Sequence, residues 1–160
     1  MRKGTSFMIT VPLSSRLPES KEIKSYPVKI DMEKGNIILI DDETDALDAM
    51  AHLLEKWGHH VVPFEAEHEV IQYLSQHNFN PDLIITDFRL REKRTGAQAI
   101  SSINNFLKKS IPAIIITGDT AKDRMRQAQE SGHILLHKPI MPAKLRTVIN
   151  NTLLKTQLTK

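Results

Sequence analysis

The chain has 160 residues, enough for one domain with a complete hydrophobic core and too few for two. Its 40% apolar and 26% charged residues argue against a disordered or membrane-spanning chain, and the absence of cysteine excludes disulfides and thiolate metal sites. Residues 1–35 carry seven Lys/Arg against four Asp/Glu, whereas residues 36–160 carry fifteen of each. Because the basic excess is confined to the leading segment, we expect no nucleic-acid binding. The absence of cysteine fits a reducing compartment, and no apolar run approaches the roughly 18 residues of a spanning helix, so we expect a cytoplasmic chain without direct membrane contact.

The leading segment differs in composition from the rest of the chain. Residues 7–11 alternate in the manner of a single strand, and residues 13–35 are rich in Ser, Pro, Lys and Glu without a sustained period. The second pattern is typical of a linker. Since a strand without a partner is not stable by itself, we interpret residues 1–12 as the remnant of a preceding domain.

From residue 36 onward, short apolar runs alternate five times with amphipathic stretches, which is typical of a parallel α/β sheet. The predicted strands are Ile37 to Ile40, His60 to Phe64, Leu83 to Thr86, Ala113 to Thr117 and Ile134 to Leu136. The predicted helices have apolar stripes that begin at Leu47, Val70 and Ile100, followed by a weaker stretch at 121–130 and a last helix from Pro142 to about Leu154. We therefore predict a domain at 36–155 and a tail at 156–160.

Polar side chains follow four of these strands at their carboxyl ends. Asp41 and Asp42 follow the first, Asp87 the third, Thr117 closes the fourth, and Lys138 with Pro139 follows the fifth. In the common strand order 2-1-3-4-5, strands 1 and 3 are neighbours at the edge where such sheets bind ligands. We therefore expect the three aspartates to converge there.

Three converging carboxylates need a cation, and an all-oxygen donor set favours Mg²⁺. Asp41 and Asp42 would hold the metal, which leaves Asp87 as a carboxylate nucleophile for a phosphoryl group. The Lys138 ammonium and the Thr117 hydroxyl would then neutralise phosphoryl oxygens. Taken alone, Asp41 or Asp42 is equally compatible with a helix N-cap. The five residue types in this order favour a phosphoryl-transfer site.

On these residues, the segment 36–155 resembles a response-regulator receiver domain. The resemblance implies a flavodoxin-like (βα)5 doubly wound parallel sheet in which Asp87 accepts a phosphoryl group from phosphohistidine, with Mg²⁺ as cofactor. The partner would be a histidine kinase or a histidine phosphotransfer protein, and a weak dimer is compatible with this class. The resemblance also implies the Arg89 carbonyl as a further metal ligand and a cis peptide at Pro139. Such a domain catalyses its own phosphorylation and dephosphorylation.

Two further segments resemble parts of histidine kinases. Residues 4–13 are similar to the terminal strand of a histidine-kinase ATPase domain, and residues 135–146 are similar to receivers fused behind kinases. Together they indicate the C-terminal receiver of a hybrid sensor histidine kinase. One residue departs from the receiver pattern, because Leu135 occupies a position where Tyr or Phe is usual.

Two alternatives use the same residues. A Mg²⁺-dependent phosphatase of the haloacid-dehalogenase type would place its nucleophile in a D-x-D motif after the first strand, where this chain has the adjacent pair Asp41 and Asp42. A receiver-like docking module would take no phosphate, and the intact set of five residues argues against it. The seven histidines show no metal-ligand spacing, so we expect them in loops or at the surface.

Overall fold

The computed structural model describes Met8, residues 34–118 and residues 132–157. The chain divides into two units, residues 1–30 and 31–160, and the fold below belongs to the second. The strands are β1 (Asn36–Ile40), β2 (His60–Phe64), β3 (Leu83–Asp87), β4 (Ala113–Thr117) and β5 (Ile134–His137). The helices of the described residues are α1 (Thr44–Lys56), α2 (Glu67–Gln76), α3 (Gly96–Leu107) and α4 (Pro142–Gln157), with a single 3₁₀ turn at Arg91–Lys93. The helix predicted at 121–130 and most of the predicted segments 1–12 and 13–35 lie outside the described residues.

The five strands form one parallel sheet in the order β2-β1-β3-β4-β5, as predicted. The inner strands are nearly continuous in Ile and Leu because both of their faces are covered. In β1, Ile37 and Leu39 join a core with α1 and α4, whereas Ile38 and Ile40 join a second core with α2 and α3. The alternation of side chains along each strand thus builds a three-layer sandwich.

The helices begin and end where local sequence signals place them. In α1, Leu47, Ala51 and Leu54 are buried at the spacing of one helical face, and the chain turns after the helix at Gly58, whose φ is +93°. Helix α4 begins at the predicted Pro142 and continues to Gln157, about a turn beyond the predicted end.

At the amino-terminal edge of the sheet, hydrogen bonds connect the start of β1 with neighbouring loops. The Asn36 N–H donates to Asp82 Oδ2 at 3.0 Å, and the Asp82 N–H donates back to the Asn36 carbonyl at 2.8 Å. The Gly35 N–H donates to Nδ1 of His59 at 3.3 Å. These bonds join the start of β1 to the segments that precede β2 and β3.

His59 lies in the loop between α1 and β2, as expected for the histidines, but it is buried there. Its Nε2 atom has no hydrogen-bond partner among the described residues. Burial lowers the pKa of His59, and the positive charge of Arg146 lowers it further. The sequence did not predict this burial, because it results from contact between segments far apart in the chain.

None of the described helices is both long and apolar enough to cross a lipid bilayer.

Candidate functional site

Three of the predicted site residues meet at the carboxyl edge of the sheet. The Lys138 Nζ atom lies 2.8 Å from Asp87 Oδ1 and 3.5 Å from Asp41 Oδ2. The side chains of Asp41 and Asp87 keep only 14% and 13% of their surface exposed, and that of Lys138 keeps 39%. One ammonium group therefore stands between two largely buried carboxylates.

Asp41 is placed by the end of β1 and the loop that follows. Its N–H donates to the Phe64 carbonyl of the neighbouring strand at 3.2 Å, and its Oδ1 accepts the Glu43 N–H at 3.0 Å. The N-cap of α1 is Glu43, whose side chain makes no capping hydrogen bond. Neither Asp41 nor Asp42 is therefore the N-cap of α1, and the capping alternative is wrong for both.

Asp87 is the last residue of β3, and its carboxylate has a partner on each oxygen. Oδ1 contacts Lys138, and Oδ2 accepts the Arg89 N–H at 2.8 Å. The next residue continues the pairing with β4, because the Phe88 N–H donates to the Ile116 carbonyl at 2.6 Å. The strand end and its turn thus hold the Asp87 carboxylate in one orientation.

Lys138 follows β5, and its backbone is tied to the end of β4. The Lys138 N–H donates to the Thr117 carbonyl at 2.7 Å, and Thr117 itself is buried. The peptide bond between Lys138 and Pro139 is cis, as the resemblance predicted. Thr117 therefore ends β4 at the same edge of the sheet from which the Lys138 side chain reaches Asp87.

The charges of this group are not balanced. Burial raises the pKa of Asp41, as does the charge of Asp87, and these effects outweigh the Glu43 N–H and Lys138, which lower it. Burial alone would lower the pKa of Lys138, but its hydrogen bond with Asp87 and the charges of both carboxylates raise it above the ordinary value. The site therefore holds Lys138 as a cation and has negative charge to spare.

A cavity of about 150 Å³ lies beside these side chains. It is lined by Asp41, Asp87 and Lys138 together with apolar residues from β1, β4, α1 and the chain after β5, which are Leu39, Ile40, Ala46, Met50, Ile116 and Ile140. The charged groups are thus set against apolar walls, where the effective dielectric constant is lower than in water and charges interact more strongly.

Asp42 does not join this group. Its carbonyl accepts a hydrogen bond from Arg91 Nη2 at 2.8 Å, and its Oδ2 lies 3.9 Å from Arg91 Nε. The described residues that line the cavity do not include Asp42. The part of the chain that the structure describes accordingly contains no cluster of three or more acidic or histidine side chains arranged to hold a metal. The structure brings Asp41 and Asp87 together and leaves Asp42 at the rim.

The donor chemistry nevertheless fits Mg²⁺, which binds through one or two carboxylates and fills its other positions with water or substrate oxygens. Asp41 and Asp87 supply two carboxylates on one cavity, and the single ammonium of Lys138 stands against their two negative charges. A small divalent cation is suited to such a site.

Gly96 also shapes the site, although the sequence analysis did not single it out. A Cβ atom at this position would lie 2.7 Å from Thr86 Cγ2, so only glycine allows the start of α3 to approach the end of β3 this closely. The sequence signal for the start of α3 is a capping box. The Thr95 N–H donates to Gln98 Oε1 at 3.0 Å, and the Gln98 N–H donates to the Thr95 hydroxyl oxygen at 3.3 Å.

Residues 37–150 match the family model of the response regulator receiver domain, and the chain belongs to this family. It is therefore a receiver domain of two-component signalling. The match favours the receiver over the haloacid-dehalogenase alternative.

The chain is also similar to solved receiver structures. The response regulator receiver domain protein from Clostridium thermocellum is 26% identical, with a TM-score of 0.68 over 78% of this chain and 98% of that one. A CheY-like receiver domain protein from Methanospirillum hungatei JF-1 is 21% identical, with a TM-score of 0.68 over 80% and 100%. The signal receiver domain of a putative LuxO repressor protein from Vibrio parahaemolyticus is 22% identical, with a TM-score of 0.66 over 79% and 95%. Comparison with curated proteins gives no match.

Proposed function

We propose that this receiver accepts a phosphoryl group on Asp87 from the phosphohistidine of a histidine kinase or histidine phosphotransfer protein, in a Mg²⁺-dependent step. The observation that carries the proposal is the position of the Asp87 carboxylate, which shares a cavity with Asp41 and lies 2.8 Å from the Lys138 ammonium. A nucleophile, a second acidic group and a cation are the parts that phosphoryl transfer requires.

In this step an oxygen of Asp87 attacks the phosphorus, the bond between phosphorus and the donor imidazole breaks, and the imidazole leaves with the electron pair. The product is an acyl phosphate on Asp87. The Arg89 N–H and Lys138 hold the two carboxylate oxygens before the reaction, which fixes the direction of attack.

Charge develops on the phosphoryl oxygens during the transfer, and the surrounding groups neutralise it. Lys138 contributes an ammonium held at the cavity, and Thr117 contributes its hydroxyl from the end of β4. Mg²⁺, held by Asp41, Asp42, Asp87 and the Arg89 carbonyl, would supply further neutralisation of these oxygens.

The test is incubation of the whole chain with acetyl phosphate and Mg²⁺, followed by intact mass measurement. We expect one alkali-labile phosphoryl adduct, no adduct in Asp87→Asn, and the wild-type adduct in Asp82→Asn, which makes the same substitution at the other end of β3. Asp87→Asn should also be slightly more stable, because it relieves the charge facing Asp41.

Three other results would contradict the proposal. Turnover of many phosphate esters would indicate the phosphatase, and the absence of any adduct would indicate a docking module. An adduct that forms at the wild-type rate in Asp87→Asn would show that another residue is the acceptor.

We also propose that the domain belongs to a cytoplasmic hybrid sensor histidine kinase, in which residues 1–12 end a preceding domain and residues 13–35 form a linker. The proposal is supported by the resemblance of residues 4–13 and 135–146 to segments of such kinases. Deletion of residues 1–34 should then leave the melting temperature within a few degrees. A deletion variant that fails to fold would contradict the boundary at residue 36.

A further inference from the structure

An ionic network links three loops at the rim of the site. Arg91 contacts Asp42 as described, and its Nη1 lies 3.1 Å from Glu65 Oε2 in the loop between β2 and α2. The other carboxylate oxygen of Glu65 accepts the Thr44 hydroxyl at 3.2 Å. Arg91 thus connects the loop after β1 with the loop after β2, from a position four residues beyond Asp87.

The backbone of the loop that carries Arg91 is held by its own hydrogen bonds. The Leu90 N–H donates to the Arg94 carbonyl at 3.0 Å. The Arg94 N–H donates to a different residue, the Arg91 carbonyl, at 3.2 Å. Leu90 is buried in the second core, and the Gly96 N–H bonds the Phe88 carbonyl at 2.9 Å. The Arg91 backbone is therefore held by a closed turn that is anchored at both ends, and its guanidinium bonds the Asp42 carbonyl.

We propose that Arg91 is an internal counter-ion of Asp42 that competes with the divalent cation for this carboxylate and so lowers the affinity of the receiver for Mg²⁺. The proposal rests on the proposed function, since it takes Asp42 as a ligand of the same metal site. It makes Arg91 a positioning residue, which acts through Asp42 without touching the phosphoryl group.

The geometry makes this competition reversible. The carboxylate contact between Arg91 and Asp42 is long, at 3.9 Å, and the Arg91 side chain is 58% exposed, so the ion pair is weak. When Asp42 turns toward a metal, the guanidinium keeps Glu65 as a partner. Release of Asp42 therefore leaves Arg91 paired with Glu65. The metal has only to displace the weak contact between Arg91 and Asp42 and to approach the positive charge of Arg91.

Arg94 provides a matched control on the same loop. It pairs with Glu67, with Nε at 3.1 Å from Oε2, and its side chain is 45% exposed, close to the value for Arg91. Replacement of either arginine removes one positive charge from the same surface. Only Arg91, however, contacts a predicted metal ligand.

The experiment is a calorimetric titration of the whole chain with Mg²⁺ in the absence of a phosphoryl donor. In Arg91→Gln we expect the Kd for Mg²⁺ to fall about two- to fivefold, the size of effect expected when the metal no longer has to displace an exposed ion pair from Asp42. Arg94→Gln should stay within about twofold of the wild type, since Arg94 pairs with Glu67, which is not a predicted metal ligand. Arg91→Lys keeps the charge and should lie between the wild type and Arg91→Gln.

A double-mutant cycle tests whether the effect passes through Asp42. In an Asp42→Asn background, Arg91→Gln should change the Kd much less than in the wild type, because the contested carboxylate is gone. Weaker or unchanged Mg²⁺ binding in Arg91→Gln would overturn the proposal and show that Arg91 supports the metal loop. An equal effect in both backgrounds would also overturn it.

These outcomes are distinct from failure of the proposed function. If Arg91→Gln tightens Mg²⁺ binding but acetyl phosphate gives no adduct, the proposed phosphorylation is wrong and the competition stands. If the wild-type chain binds no Mg²⁺, both are wrong.

Discussion

The two ends of β3 each carry an aspartate, and the two are used in opposite ways. Asp82, before the strand, exchanges hydrogen bonds with the backbone of Asn36, at 3.0 Å through its carboxylate and at 2.8 Å through its own N–H. Asp87, at the last position of the strand, faces a lysine and a second carboxylate across a cavity. The first carboxylate satisfies a backbone donor, whereas the second takes part in a group whose charges remain unbalanced.

The difference shows how position in a parallel sheet decides the role of one residue type. Strands enter from connections at the amino-terminal edge, where side chains such as Asp82 and His59 close the chain onto its neighbours. At the carboxyl edge the connections diverge and leave space between strands, so polar groups there meet a cavity. Stability should therefore depend on the first edge and phosphoryl chemistry on the second.

The largest effect is expected at the carboxyl edge. In Lys138→Met, phosphorylation by acetyl phosphate should slow by about 10²- to 10³-fold, because a preorganised charge that stabilises the transition state is lost. Quench-and-mass kinetics measure the rate. Lys144→Met, at an exposed position of α4, is the control and should react at the wild-type rate. A rate for Lys138→Met within a few fold of the wild type would contradict the assigned role.

The next effect concerns the amino-terminal edge. Asp82→Ala should lower the free energy of unfolding by about 1–2 kcal/mol, because the Asn36 N–H loses its acceptor in a partly buried place. Phosphorylation of the folded fraction should be unchanged. Urea denaturation measures the loss, and Asp82→Asn, which retains an acceptor oxygen, should lose less. If Asp82→Ala instead slowed phosphorylation without loss of stability, the contrast between the two edges would fail.

A smaller effect is expected from Arg89, whose N–H bonds Asp87 and whose side chain is exposed. The sequence suggests that its side chain pairs with Asp119, which lies outside the described residues, and shields Asp87 from water. Arg89→Ala should then speed loss of the phosphoryl group about fivefold, which corresponds to about 1 kcal/mol of barrier. Phosphate release after removal of the donor measures this rate, with Arg94→Ala as the control on the same loop. An unchanged or slower rate would show that Arg89 does not shield the site.

The last prediction uses pH to separate the contributions of the two edges of the sheet to the free energy of unfolding. Because the pKa of His59 is lowered below 6.5 in the folded chain, the unfolded chain binds more protons as the pH falls through 6.5, and stability is lost. Asp41 acts with the opposite sign, since burial raises its pKa above 3.8 and protonation of the carboxylate relieves the cost of that burial. Unfolding free energies between pH 7.5 and 5.5 should therefore fall in the wild type. They should fall less steeply in His59→Asn, where His133, whose pKa is also lowered by burial, still contributes. The exposed His52→Asn control should keep the wild-type slope.

The strands could be predicted because burial leaves a strong pattern in the sequence. Two of the five predicted strands, His60 to Phe64 and Ala113 to Thr117, agree with the structure at both ends, and the strand order follows from the common arrangement of such folds. Asp41, Asp87 and Lys138 could be assigned to one edge for the same reason, since a parallel sheet places all carboxyl ends together. The end of α4 was predicted too early: the helix continues from Leu154 to Gln157, and in this extra turn the Thr156 hydroxyl donates to the Thr152 carbonyl at 3.0 Å.

The sequence by itself thus determined the strands and the strand ends at which the acidic residues and the lysine lie, because each depends on the pattern within a short segment. The strand order followed from the common arrangement of such folds. Only the tertiary structure decided that Asp42 faces Arg91, 49 residues away, and that His59 is buried against Gly35, 24 residues away. Such contacts depend on how separate loops close over one another. No local pattern encodes that closure, since it results from the packing of the whole sheet and its helices.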